Sequence, residues 1–182
     1  MTEAEAVGRP PRPTAAGIYH VGTKAPTGLP FFHAIEDYYV FMAYLSSAIL
    51  FERLTCLAFC LMTTHYHLLF DAPDGAIPRA MKQLNWRYAR SVNERLGGRG
   101  HVVGSRYFCV PVSDTDQLLA EFKYIARNPV KAGLCDAPED WRWSSYAGAV
   151  GLESEFGFVD SRLVVAAIGG KLESLRAYVD GV

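Results

Sequence analysis

Two apolar, β-rich runs separated only by Thr63-Thr64 dominate the middle of this chain and constrain its fold more than any other stretch. The first, Leu54–Met62, is apolar at nearly every position, which predicts a strand buried on both faces and central in its sheet. The second, His65-Tyr66-His67-Leu68-Leu69-Phe70, reads as the returning strand, with Thr63-Thr64 as the tight reversal. Side chains alternate along a strand, so His65, His67 and Leu69 share one face, and Tyr66, Leu68 and Phe70 the other. Two imidazoles side by side on a rigid strand can form half of a metal site. The same pair can equally be two hydrogen-bonded core histidines.

Composition bounds the class of protein that carries this pair. A chain of 182 residues with 50% hydrophobic and 20% charged residues suits one globular domain with a terminal appendage, and it can bury a core without staples. Cys56, Cys60, Cys109 and Cys135 form no C-x-x-C pair, so neither a zinc ribbon nor a redox motif is visible. Free thiols fit a reducing, cytoplasmic setting. No apolar h-region opens the chain, and polar residues interrupt its most apolar run, so neither a secretory signal nor a membrane span is expected. The net charge of −1 argues against a polyanionic partner until its distribution is read. Residues 1–78 carry −3, residues 79–131 carry +6 and residues 132–182 carry −4. A basic block of that kind attracts nucleic acid even in a nearly neutral chain.

In chain order, residues 1–14 hold three prolines and little that packs, and read as a flexible leader. Gly17–Val21 alternates as a first strand, and Lys24–Pro30 is a loop. Glu36–Leu50, with acids in its first turn, predicts a helix. After the two central runs, Asp71–Pro78 reads as a loop. Arg79–Leu96 reads as an amphipathic helix with Met81, Leu84, Tyr88, Val92 and Leu96 on its buried stripe. Its outer face gathers Arg79, Lys82, Trp86 and Arg90. Such faces are often only solvated, but an aromatic among cations is also a platform for an unpaired base. A mobile loop at Leu96–Gly100 leads to a fourth strand over His101–Val112, broken near Gly104 and with Arg106 at its middle. Ser113–Asp116 caps a helix expected to stop at Asn128-Pro129, because proline disfavours helical geometry before it. Pro138–Tyr146 reads as an irregular packed segment, and Asp160–Val182 as a helical tail interrupted at Gly169-Gly170.

The order β-α-β-β-α-β suits an α+β fold of the ferredoxin-like or RRM-like kind. Its antiparallel sheet has the first and third strands as central neighbours and helices on one face. A further helix and the C-terminal tail follow. On that further helix Tyr124 and Asn128 stand at i and i+4 and share a face, while Leu118, Phe122 and Ile125 serve the core. If this helix crosses the sheet, that face meets His65 and His67. Two imidazoles, an amide oxygen and a phenol then lie together, with open positions for a substrate oxygen on a divalent ion and a phenol of a kind known as a covalent nucleophile.

The run Tyr124-Ile125-Ala126-Arg127-Asn128-Pro129-Val130-Lys131-Ala132-Gly133-Leu134 resembles the signature of the HUH single-tyrosine (IS200-like) transposases, most closely their REP-associated tyrosine transposase branch. Tyr19-His20-Val21, Met62 with His65-Tyr66-His67-Leu68-Leu69, Gly100-His101 with Arg106, and Trp143-Ser144-Ser145-Tyr146 match in the same order. The likeness covers roughly residues 15–150 as a catalytic domain, with 151–182 as a C-terminal helical tail. It implies that His65, His67 and Asn128 bind Mg²⁺ or Mn²⁺, and that Tyr124 cleaves single-stranded DNA at or near a REP-like hairpin through a 5′-phosphotyrosine. It also implies single-stranded or hairpin DNA as partner, no membrane, and a monomer or homodimer. Arg106, Arg127 and Lys131 join Arg79, Lys82, Trp86 and Arg90 as expected DNA-binding residues. The chain departs from the family with Thr63-Thr64 in place of Pro-Asn and Thr23-Lys24 in place of Arg-Gly. Two other readings stay open. One is a domesticated hairpin-binding protein that does not cut. The other is a structural-zinc or unrelated hydrolase domain, for which the extra Cys or His ligands of a closed site are missing.

Overall fold

Strand pairing follows the alternation just described. β1 (Gly17–Lys24), β2 (Thr55–Leu61), β3 (His65–Ala72) and β4 (Phe108–Val112) form one antiparallel sheet in the order β2-β3-β1-β4. The structure is a computed structural model that describes residues 14–98, 102–104 and 106–181. The helices are α1 (Ile35–Glu52), α2 (Ala76–Leu96), α3 (Thr115–Lys131), α4 (Tyr146–Ala149), α5 (Arg162–Ala167) and α6 (Leu172–Asp180). The leader expected over residues 1–14 lies outside the described residues except for Thr14. No helix among the described residues is long and apolar enough to cross a membrane.

The sheet separates two cores. Tyr19, Val21, Tyr66, Leu68 and Phe70 bury one face against Phe41 and Leu45 of α1 and Met81, Leu84 and Tyr88 of α2. The other face offers Ala58, Cys60 and Leu69 to Leu118, Phe122 and Ile125 of α3, and to Val164, Leu175 and Val179 of α5 and α6. The βαββαβ helices therefore share one face as expected, and α3 with the tail covers the opposite one. Two buried carboxylates lock the α1–α2 pair. Asp37 accepts the backbone N–H groups of His33 and Ala34 and two bonds from Arg95 at 2.6 and 2.7 Å. Glu52 at the other end accepts from Arg79 at 2.7 Å.

Four sequence expectations need correction. β2 is an edge strand, not a central one. It is apolar throughout because its free edge is covered: Leu61 N–H donates to Trp143 O, Ser145 N–H to Phe59 O, and Asp160 N–H to Cys56 O. These bonds satisfy backbone groups that an open edge would leave to other chains. The fourth strand is only Phe108–Val112, and Arg106 precedes it. Upstream, Gly104 N–H donates to Lys24 O, and a Cβ on Gly104 would lie 2.5 Å from Pro26 N. This segment packs on the turn after β1 instead of extending the ladder; His101 lies outside the described residues. α2 starts at Ala76, because Pro78 falls in the first turn, where its missing N–H is no loss. α3 runs through Pro129 to Lys131, since burial of Asn128 and Pro129 outweighs the local preference against a helix before proline.

Gly22, opposite His67 in β1–β3 and opposite Phe108 in β1–β4, has no room for a side chain. A Cβ there would stand 2.4 Å from Tyr66 O and 2.6 Å from the Phe108 ring. Gly22→Ala is expected to cost roughly 3 kcal/mol, at the upper end of overpacking, because a backbone carbonyl cannot rotate away. The urea midpoint of the purified variant measures this; an unchanged midpoint would show that the strands part easily here.

Candidate functional site

Register builds the site before any helix arrives. β1 and β3 pair with His20 opposite Leu69 and Gly22 opposite His67, so His20 and His67 are diagonal neighbours on one face. His65 stands two residues back on that face, opposite Lys24. The rings of His65 and His67 lie with centroids 5.0 Å apart, as do those of His20 and His67. α3 then crosses this face with Glu121, Tyr124, Asn128 and Lys131 on one stripe, spaced three, four and three residues apart.

That crossing brings the four central residues of the sequence reading together. The Tyr124 ring sits 5.3 Å from the His67 ring and 5.9 Å from the His20 ring, with 41% of the residue exposed. Asn128 is buried beside His65. A cleft of about 520 Å³ opens between β1, β4 and α3, lined among others by Lys24, His67, Phe108 and Tyr124. A larger hollow of about 850 Å³ lies against α4 and α5, lined by Ser145, Phe156 and Arg162 among others, and holds none of the expected residues.

Electrostatics favour the neutral form of the three histidines. Burial first, then the nearby His20, His65 and Lys24, push the His67 pKa down to about 3. Burial and Lys24 also lower His65, with Asn128 opposing. Burial lowers His20, with Glu121 opposing. At the site, two buried polar atoms have no hydrogen-bond partner among the described residues: His67 Nε2 and Asn128 Nδ2. A half-turn about the Asn128 Cβ–Cγ bond presents the amide's carbonyl oxygen there instead. Buried polar groups almost always find a partner. The unpartnered His67 Nε2 and Asn128 amide, with His65 on the same strand face, are neutral nitrogen and oxygen donors of the kind that suits a divalent cation.

Two residues that sequence reasoning did not place in the site belong to it. Glu121 Oε2 lies 2.6 Å from His20 Nδ1, and His20 Nε2 lies 2.9 Å from His67 Nδ1. The signal for Glu121 was its helical spacing from Tyr124 and Asn128; for His20 it was the alternation of the first strand.

The expected DNA-binding residues divide. Lys131 is at the site, its Nζ 5.2 Å from the Tyr124 ring centroid. Arg106 is exposed just before β4 and Phe108. Arg127 donates to the Val179 and Asp180 carbonyls at the end of α6, and Lys123 donates to Tyr178 O beside it. Arg79, Lys82, Trp86 and Arg90 lie on α2, across the sheet from His67. There Arg79 pairs with Glu52 and Arg90 with Glu94, while Trp86 is 61% exposed.

The family described as IS200-like transposases matches residues 37–128, a span that contains His65, His67, Tyr124 and Asn128. Among solved structures, the REP-associated tyrosine transposase bound to a REP hairpin superposes with a TM-score of 0.68. The superposition covers 84% of this chain and 92% of that one at 15% identity. No curated protein matches the chain significantly.

Proposed function

The chain belongs to the family of IS200-like transposases, and we propose that it cuts and rejoins single-stranded DNA by metal-assisted transesterification with Tyr124 as nucleophile. The observation that carries this reading is the convergence of Tyr124 with the unpartnered His67 Nε2 and Asn128 amide. His65, His67 and Asn128 would hold Mg²⁺ or Mn²⁺, which when bound polarises the phosphate oxygens of the substrate. The Tyr124 phenol oxygen forms a bond to phosphorus as the bond from phosphorus to the 3′ oxygen breaks. The phenol proton leaves to water at the open mouth of the cleft, and the departing 3′ oxygen takes up a proton. One phosphate ester replaces another, so the 5′-phosphotyrosine can be resolved by a 3′-hydroxyl without an external energy source. Lys24, which lines the cleft, and Lys131, beside the Tyr124 ring, would supply positive charge near the reacting phosphate, the kind of fixed charge that stabilises charge developing in a transition state.

Within the family we place the chain in the REP-associated branch, with hairpin DNA as substrate. The Tyr124–Leu134 run and the superposition on a hairpin-bound relative support that placement. The test is incubation of the protein with labelled single-stranded DNA carrying REP-like hairpins, with Mn²⁺ or with chelator. The expected result is a denaturant-resistant protein–DNA band that requires the metal. Binding of the hairpins with no band under either metal would overturn the reading in favour of a binding protein that does not cut.

The outer face of α2 is proposed as a second contact for the same DNA, remote from the chemistry. Replacing Arg79, Lys82 and Arg90 together by Ala is expected to flatten the salt dependence of binding by about one unit of slope for each phosphate that is no longer neutralised. Filter binding across a salt series measures it, and an unchanged slope would assign this face to solvent.

A further inference from the structure

Three elements distant in sequence deliver one chain of hydrogen bonds. Glu121 comes from α3, His20 from β1 and His67 from β3, and the bonds run Glu121 Oε2 to His20 Nδ1 at 2.6 Å and His20 Nε2 to His67 Nδ1 at 2.9 Å. Both histidines are buried, 4% and 3% exposed, while the Glu121 side chain reaches solvent. The direction of the bonds follows from donor counting. A carboxylate only accepts, so His20 Nδ1 carries the proton. The neutral ring then has a lone pair at Nε2, so His67 Nδ1 must donate to it. His67 Nε2 is left with a lone pair and no partner. With His20 neutral, as its burial favours, the reverse direction would set a lone pair of His20 against a carboxylate oxygen at 2.6 Å and bury an N–H at His67 Nε2 with nothing to accept it.

We propose that Glu121 and His20 are positioning residues that hold His67 as its Nδ1–H tautomer, keeping the Nε2 lone pair aimed at the metal position. The inference rests on the metal-assisted reading above. Outer partners of this kind orient a ligating imidazole and raise its basicity. Here the carboxylate acts through a second imidazole, so a group on the helix that carries the nucleophile sets the state of a ligand on the sheet. Docking of α3 and preparation of the ligand thereby become one event. An ion pair that merely pinned α3 to the sheet would have no need to continue to a second histidine whose other nitrogen is unpartnered.

The test uses the full-length chain free of metal, labelled with ¹⁵N-histidine, and then titrated with Mn²⁺ alone. In the wild type, His67 is expected in the Nδ1–H form. Glu121→Ala, a change at a partly exposed position, should mix the tautomers and weaken Mn²⁺ binding by roughly 10- to 100-fold. Glu121→Gln, whose amide oxygen still accepts, should restore the tautomer and most of the affinity. His67 found as Nε2–H in the metal-free wild type, or Glu121→Ala with unchanged tautomer and unchanged Mn²⁺ affinity, overturns the relay while leaving the metal site standing. A wild type with the expected tautomer and no Mn²⁺ binding overturns the metal reading, and the purpose assigned to the relay with it.

Discussion

Tyr124→Phe is expected to fold, bind Mn²⁺ and bind hairpin DNA as the wild type does, and never to form a covalent adduct. Phe keeps the ring that meets His20 and His67 at 5.9 and 5.3 Å and that Lys131 covers. It removes only the atom proposed to attack. The residue is 41% exposed, so the missing hydroxyl leaves no buried polar group unpaired and stability should stay within about 0.5 kcal/mol. The chain has ten tyrosines, and a loss confined to this one distinguishes nucleophile from scaffold. Denaturing gels with DNA labelled on the 3′ side of the cut decide it. A protein-linked band that persists in the variant would move the nucleophile elsewhere and end the assignment to α3.

His67→Ala is the second large effect. The substitution removes the proposed ligand atom, the unpartnered His67 Nε2, and it strands His20 Nε2 without its donor. Mn²⁺ affinity should fall by more than the roughly 100-fold seen when outer partners are removed, and cleavage should fall with it. Folding should lose about 1–3 kcal/mol, the cost of a buried polar group left without its bond. The urea midpoint, calorimetric titration and cleavage separate these effects. Full cleavage by a folded His67→Ala protein would place the metal elsewhere or remove it from the reaction.

Much of this site is visible along the chain because local periodicity dictates it. Alternation puts His65 and His67 on one face of β3, and the helical repeat puts Tyr124 one turn before Asn128. The same periodicities sort Tyr66 and Leu68 from His67, and Phe122 and Ile125 from Tyr124, so the core faces of both elements are legible as well. The order of strands and helices suffices for the central pairing of β1 and β3. Every one of these inferences involves residues close in sequence, or a topology with few alternatives.

What periodicity cannot supply is the side of the sheet on which a helix lands. The polar stripe of α2 and the polar stripe of α3 look alike in sequence. Only the α3 stripe meets the histidines, because the α2 core residues pack against Tyr66 and Leu68 and those of α3 against Leu69. Glu121 and His20 are separated by 101 positions and acquire a common purpose only when β1 has paired with β3 and α3 has docked. Arg127 carries a cation's signal in sequence, yet α6 brings carbonyls to it from more than fifty positions downstream. β2 looks like a central strand because burial follows coverage rather than rank in the sheet, and the segment around Trp143–Ser145 covers its edge. The placement of His65 and His67, and of Tyr124 before Asn128, was thus set by short-range spacing. The hydrogen-bonded support behind His67, and the choice of which cations remain available to DNA, depend on long-range contacts whose partners no local pattern specifies.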